Sequence, residues 1–367
     1  MLQVQLLGKT DVGRQREINE DRYGLVESRN LAVVCDGMGG HAAGEVASQC
    51  AVDTISALYL DMELPPGSEA AFDLPVEFSE EGRRLVSAIR IANTRIYEKS
   101  DANPILAGMG TTIVAVVFHD NRMSICHVGD SRAYRFRNGV LKQLTNDHSL
   151  VGELVASKQI SPEEARDFPN KNVITRALGV RERVKIDLRE EGIAPGDIFL
   201  LCSDGLTGCL RDTEILGIIS GASEDLHKIA NDLIDGANNG GGDDNITCAL
   251  VRVDSARAAD ESDPGLETIT FPEENDLELA AQKIVADFLD NMPEEKEETP
   301  VPDEVPSEEL TNMTTEERDL SEIFEPKGHS ANFLLGLILV LVVACVAVLV
   351  FDIAGAREFT WNFLGLN

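Results

Sequence analysis

Positive charge is scarce in this chain. Its 367 residues carry 32 Lys and Arg against 64 Asp and Glu, a formal net charge of −32. Nucleic acid is excluded as a partner, because binding it takes Lys and Arg to neutralise phosphates. Cysteine is sparse as well: the seven stand at positions 35, 50, 126, 202, 209, 248 and 345, most of them inside apolar runs. Their odd number and the lack of a CxxC pair argue against a disulfide framework or a zinc site, and for a reduced, cytosolic setting. The N-terminal "MLQVQLLGKTDVG" has neither the basic flank nor the long apolar core of a signal peptide. No internal repeat is found. Long apolar runs are missing too, with one exception. Residues 333–351, "FLLGLILVLVVACVAVLVF", form 19 apolar positions without a charge. As a helix they rise ~29 Å, against a hydrocarbon core of ~30 Å. The segment reads as a single transmembrane helix followed by a short tail, 352–367, whose Phe359, Trp361 and Phe363 suit the far interface. The large N-terminal part is then expected on the cytoplasmic side of the cell (inner) membrane.

Residues 1–253 read as globular. Apolar positions recurring at three and four predict helices over 44–60 and 80–100. The period then changes: 111–145 reads as four strands joined by short turns at "HDNR", "GD" and "RNG", an antiparallel meander. A helical stretch near 149–167 follows, with "SPEEA" as a capping signal. Strands fit "VKIDLRE" and "DIFLLCS", helices fit 212–220 and 223–237, and a last strand, "NITCALVRV", closes the domain at about 253. Strands and helices are segregated, so α+β with antiparallel sheets covered by helices is expected. Over 254–330 the composition shifts to about 24 acidic and 5 basic residues with proline clusters, which reads as an acidic, largely disordered linker. Within it, 276–292 has the spacing of a short amphipathic helix, read as transient in a solvated tether.

The chemistry lies in a series of aspartates in matching settings. "LAVVCDG" places Asp36 after an apolar run and before Gly37, and "FLLCSDGL" does the same with Asp204 and Gly205. "GGDDNIT" places Asp243 and Asp244 before a strand, "HVGDSRAY" holds Asp130, and "NEDRYG" pairs Glu20 with Asp21. A single Asp-Gly is an ordinary turn. Several carboxylates gathered at strand ends, however, repel one another and lose solvation unless a cation joins them. Without His/Cys clustering at metal spacing, the expected ion is hard, Mg²⁺ or Mn²⁺ on oxygen ligands. Arg16 stands four residues before Glu20, where it could clamp a phosphate.

Eight stretches resemble the PPM, or PP2C-like, protein serine/threonine phosphatases, in that family's order: "DVGRQREINEDR", "VVCDGMGGHAAGEVAS", "GMGTT", "HVGDSRAYRFRNG", "LTNDHS", "VITRALG", "LLCSDGLT" and "GGDDNIT". The form "DGMGGH" is similar to the bacterial branch. The resemblance covers residues 1–253 and implies a four-layer α-β-β-α sandwich of two antiparallel sheets with two metal ions, and a weaker third, at one end. It implies that Asp36 bridges both ions, that the Gly37 carbonyl binds one, and that Asp204 and Asp244 hold the other. Asp130, with Asp204, would serve the third site. Glu20 and Asp21 would orient waters, and Arg16 would hold the substrate phosphate. Asp243 is read as a solvated turn residue. His41 has two readings, the acid that protonates the leaving alkoxide or a structural helix-entry histidine. His127 and His148 are read as structural. Residues 148–172 correspond to a flap, in which Phe168 and Lys171 stand where the family often has His and Arg.

The expected activity is hydrolysis of phosphoserine and phosphothreonine in proteins by a hydroxide on a binuclear metal site, at the membrane, opposing a bacterial Ser/Thr protein kinase that is itself among the substrates. The alternatives are a non-catalytic phosphoprotein-binding scaffold on the same fold, set against by the presence of Asp36, Asp204 and Asp244, and a hydrolase of another phosphoester, for which no base pocket or P-loop is found.

Overall fold

The computed structural model describes residues 2–39, 43–60, 65–72, 74, 78–161, 164–165, 168, 173–222, 224–256 and 266–292. The expected membrane span, the tail, the linker beyond 292, His41 and Lys171 lie outside these residues. Among the described residues no helix is long and apolar enough to cross a membrane.

Among the described residues, twelve strands and seven longer helices follow in the order β1 (Gln3–Asp11), β2 (Asp21–Val26), β3 (Leu31–Met38), α1 (Ala43–Tyr59), α2 (Glu80–Ala102), β4 (Gly110–Thr111), β5 (Ile113–His119), β6 (Arg122–Val128), β7 (Arg132–Arg137), β8 (Val140–Gln143), α3 (Leu150–Ala156), β9 (Ile186–Gly192), β10 (Ile198–Cys202), α4 (Asp204–Cys209), α5 (Asp212–Gly221), α6 (Leu226–Asn239), β11 (Ile246–Ser255), β12 (Leu266–Phe271) and α7 (Asp276–Asp290). One antiparallel sheet has the order β1-β11-β10-β7-β8; the other runs β12-β9-β6-β5-β3-β2, with β4 beside β3.

Period-two alternation sorts the strand residues into three cores. Leu31, Val33 and Cys35 of β3 point to α1 and α2, while Ala32 and Val34 point to the opposite sheet. On β10, Ile198, Leu200 and Cys202 face α4, α5 and α6, and Phe199 and Leu201 face the other sheet. Both central strands are buried on both faces, which explains runs such as "LAVVC" and "IFLLC" that read as continuous rather than alternating. The result is helices, sheet, sheet, helices: the α-β-β-α sandwich that the family resemblance implies.

Three expectations change. The four strands of 111–145 are present, but they are no single meander. β5 and β6 pair in one sheet, β7 and β8 in the other, and the chain crosses between sheets at Gly129–Ser131. Gly129 has φ +108° there, and a Cβ would stand 2.6 Å from that of Thr112, so the crossing needs glycine. Second, "SDGL" opens a helix: Asp204 is the first residue of α4 and Ser203 is its N-cap.

Third, the folded part extends past 253. Register places Phe271 of β12 opposite Ile186 of β9, and the Phe78 and Phe271 rings lie 5.0 Å apart. Helix α7 lies against α2, burying Ala281, Val285 and Leu289 in the same core as α1 and α2. Buried Arg90 of α2 donates to the Pro272 carbonyl at 2.9 Å and stands 3.8 Å from the Glu274 carboxylate. The helix is folded rather than transient, because its stripe at 279, 282, 285, 286 and 289 has a preformed apolar surface to cover.

Candidate metal centre and active site

The acids meet at one end of the sandwich because strand ends deliver them there. Asp36 closes the apolar part of β3, with Asp21 of β2 as its cross-strand partner. Its backbone is pinned on both sides: Asp36 N–H donates to Thr112 Oγ1 (3.1 Å), and its carbonyl accepts from Thr112 N–H (2.8 Å) and Thr111 Oγ1 (2.9 Å). Gly37 follows, and a Cβ there would lie 2.1 Å from the Gly44 carbonyl oxygen and 2.6 Å from that of Glu20. This close approach of three backbone segments accounts for the glycine directly after Asp36.

Asp204 arrives on the first turn of α4, and Asp244 just ahead of β11, its Oδ1 accepting the Asn245 N–H at 2.8 Å. Asn245 also ties down the loop that carries Arg16. Its amide donates to the Val12 and Ile18 carbonyls (both 2.9 Å), and its Oδ1 accepts from Glu20 N–H (2.8 Å). Arg16 Nη2 reaches Asp244 Oδ2 at 2.8 Å. Asp243 is exposed.

These side chains do not tolerate one another as anions. Burial, then the charges of Asp21, Asp204, Asp130 and Asp244, hold Asp36 well above the carboxylate range. Asp21 and Asp130 are each pushed up to about 7, first by burial and then by neighbouring aspartates, against hydrogen bonds such as that from Ser203 to Asp21 (2.7 Å). Asp204 and Glu20 are raised for the same first reason. Buried oxygens of Glu20 (Oε1), Asp21 (Oδ1) and Asp130 (Oδ1) have no hydrogen-bond partner among the described residues. An all-oxygen set of this kind, repelling itself and short of donors, fits hard divalent cations.

Asp36, Gly37, Glu20, Arg16, Asp204 and Asp244 line one cavity of ≈ 760 Å³. Arg16, Glu20, Asp36, Gly37, Asp204 and Asp244 thus meet at this cavity, and Asp21 and Asp130, which do not line it, lie close enough for their charges to act on Asp36. His127 and His148 are stacked at 4.6 Å and, with Asp187, could form a ligand trio by distance alone. Their bonds are instead internal. His127 Nε2 meets the Asn146 carbonyl (2.8 Å), His148 Nδ1 accepts Gly129 N–H (3.1 Å), and His148 Nε2 lies 3.3 Å from Asp187. Arg176 also donates to Asp187 (3.0 Å). Burial, with His148 beside it, pushes His127 down to about 4; burial alone would raise Asp187, but hydrogen bonds from His148 and Thr270 and the charges of the two histidines together outweigh it and hold Asp187 at about 2. The pair props the turn that presents Asp130.

The other side of the cavity was not singled out in the sequence. Arg176, Arg181, Arg183 and Lys185 line it, with Glu273 from the segment after β12. The signal for it, "TRALGVRERVK", is a run of alternating cations in an otherwise acidic chain, but no regular element marks where it faces.

Two antiparallel sheets between helix layers, with an acidic cluster at one end and a cationic loop beside it, define the class of a metal-dependent phosphomonoesterase of the PPM type. Residues 12–234 match the family model of protein phosphatase 2C, and the chain belongs to that family of protein serine/threonine phosphatases. It is 41% identical over 249 residues to the serine/threonine phosphatase stp of Listeria monocytogenes, covering 67% of this chain and 94% of that protein. It is 37% identical over 252 residues to PstP of Mycobacterium tuberculosis, covering 69% of this chain and 45% of that one. The crystal structure of M. tuberculosis PstP/Ppp superposes with a TM-score of 0.60 at 36% identity, covering 70% of this chain and all of that one. The catalytic domain of PstP in complex with two manganese ions gives 0.59 at 35%, with the same coverage.

Proposed function

We propose that this chain hydrolyses phosphoserine and phosphothreonine in proteins, using Mn²⁺ or Mg²⁺ held by Asp36, Gly37, Asp204 and Asp244. The supporting observation is the aspartate cluster itself, in which acids are raised in pKa by burial and then by one another, and buried oxygens stand without donors among the described residues. Asp36, Gly37, Asp204 and Asp244 would hold two such ions, and Asp130 with Asp204 would serve a weaker third. Such ions supply Lewis acidity at neutral pH, both for a water nucleophile and for charge on the phosphoryl oxygens.

The chain's own groups do the rest. Asp21, fixed by Ser203, and Glu20, fixed by Asn245, orient water at the centre. Arg16 is half exposed, so its guanidinium can leave Asp244 and clamp the phosphate with two parallel hydrogen bonds. His41 protonates the departing alkoxide in this scheme. The span 333–351 anchors the chain in the cell membrane with the catalytic domain in the cytoplasm. The acidic stretch from 293 to 330 tethers the domain, raising its effective concentration toward membrane-bound phosphoproteins, a Ser/Thr kinase among them.

The test uses the full chain in detergent. Phosphate release from a phosphothreonine peptide should require Mn²⁺, stop on chelation and be lost in Asp36→Asn. Metal-independent turnover would rule the proposal out. Deleting 333–351 should move the protein from the membrane fraction to the soluble one, and its retention there would remove the anchor from the scheme.

A further inference from the structure

The cationic side of the cavity is a built surface. Its segment, 174–185, has little regular structure, yet its backbone is clamped. Leu178 exchanges two hydrogen bonds with Thr111 of β4 (2.9 and 3.1 Å), one residue pair from Gly37. Asn93 of α2, fully buried, accepts from Gly179 N–H (2.8 Å) and donates to the carbonyls of Arg181 (3.1 Å) and Glu182 (2.9 Å). Arg183 donates to the Glu274 carbonyl (3.1 Å) and pairs with Asp276, so the segment after β12 holds it from behind.

Of the four cations, Arg176 is engaged by Asp187 and Arg183 by that extension. Arg181 and Lys185 are exposed and have no ion pair among the described residues. Among the described residues that line this side of the cavity, Glu273 is the one acid. Two uncommitted cations on a clamped backbone, beside a phosphate site, in a chain of net charge −32, are poorly explained as solubility. At physiological salt a charge acts over ~8 Å, which confines their pull to whatever lies next to the phosphate.

We propose that Arg181 and Lys185, held in place by Asn93 and by the β12–α7 extension, select phosphoproteins with acidic residues flanking the phosphorylated one. The inference rests on the phosphatase reading, in which ions at the aspartate cluster neutralise the opposite side of the cavity. Arg183 acts as a positioning residue, since its donors are turned toward the extension.

The experiment uses the full chain in detergent with Mn²⁺ and three phosphothreonine peptides differing only in flanking Glu, Ala or Lys residues, with p-nitrophenyl phosphate as a flank-free substrate. The unaltered chain should favour the Glu peptide over the Ala peptide by roughly fivefold in kcat/KM, through KM, and the ratio should shrink as salt rises. In Arg181→Ala/Lys185→Ala the ratio should fall to about one. Arg181→Lys/Lys185→Arg should keep it, and Arg181→Glu/Lys185→Glu should turn the preference toward the Lys peptide. No preference in the unaltered chain, or one that survives the alanine pair, overturns the inference. Absence of turnover on p-nitrophenyl phosphate overturns the phosphatase reading, and the inference with it.

Discussion

The two sides of the cavity are built on opposite principles. The acidic side stands on strand ends and on the first turn of a helix, each backbone atom of Asp36 spoken for by Thr111 and Thr112. The cationic side stands on a segment with almost no regular structure, clamped by one buried asparagine and by an extension that lies beyond the matched family model, which ends at 234. Groups that must converge on a reaction centre tolerate little displacement, and sheet ends hold them best. Groups that select a flanking charge act at longer range and can sit on a loop. Chemistry and selection can therefore change independently.

The sharpest way to break that contrast is Asp36→Asn. Loss of turnover by more than about 100-fold is expected, measured on p-nitrophenyl phosphate with Mn²⁺. In chelator the same variant should melt higher than the unaltered chain, because the amide removes the cost of keeping a crowded, buried carboxyl protonated at neutral pH. A lower melting point would mean that Asp36 serves the fold rather than the site.

Next in size, Leu289→Ala removes a buried side chain of α7 and should cost about 2 kcal/mol in denaturant unfolding. No change would make the extension a loose tether and leave the cationic side unsupported.

Removal of metal gives a smaller, pH-dependent effect. Asp21 and Asp130 bind their protons more tightly folded than unfolded, with pKa about 7 against an ordinary aspartate value of 3.8. Their stabilising contribution is complete below about 4 and is lost as pH rises through about 7. His127, pushed down to about 4, acts in the opposite sense, but chiefly below pH 6.5. Calorimetry in chelator should therefore show a lower Tm at pH 8 than at pH 6.5, with Mn²⁺ restoring it. A flat profile would show that the carboxyls are not crowded.

The smallest effect belongs to Asp276→Ala. Its pair with Arg183 is exposed on the Asp276 side (94%), so stability should change by less than about 1 kcal/mol. A larger loss would move the anchoring of the extension from apolar burial to charge.

The site proved easier to read in the sequence than the connections around it. Asp36, Asp204 and Asp244 each carry a local signature, an apolar strand or a glycine turn next to a carboxylate, and local signatures survive without knowledge of the fold. The crossing at Gly129 looked like an ordinary hairpin, because a turn signal says that the chain reverses but not into which sheet. Residues 266–292 were lost in an average: the acids around them outweighed "LETITF" and the stripe ending at Leu289. Asn93 carried no signal at all, being a lone amide on an amphipathic helix whose partners lie 86 to 89 positions away.

By itself, the amino-acid order determined the layers and the reaction class. Hydrophobic period selects which face of a strand is buried, and the Asp-Gly junctions place carboxylates where strands end. Tertiary structure alone decided that Asp21 would back Asp36, that a histidine pair would brace Asp130, and that four cations would face the acids across a cavity. Those relations depend on strand register and on contacts between distant segments, and neither is encoded in any one stretch of chain.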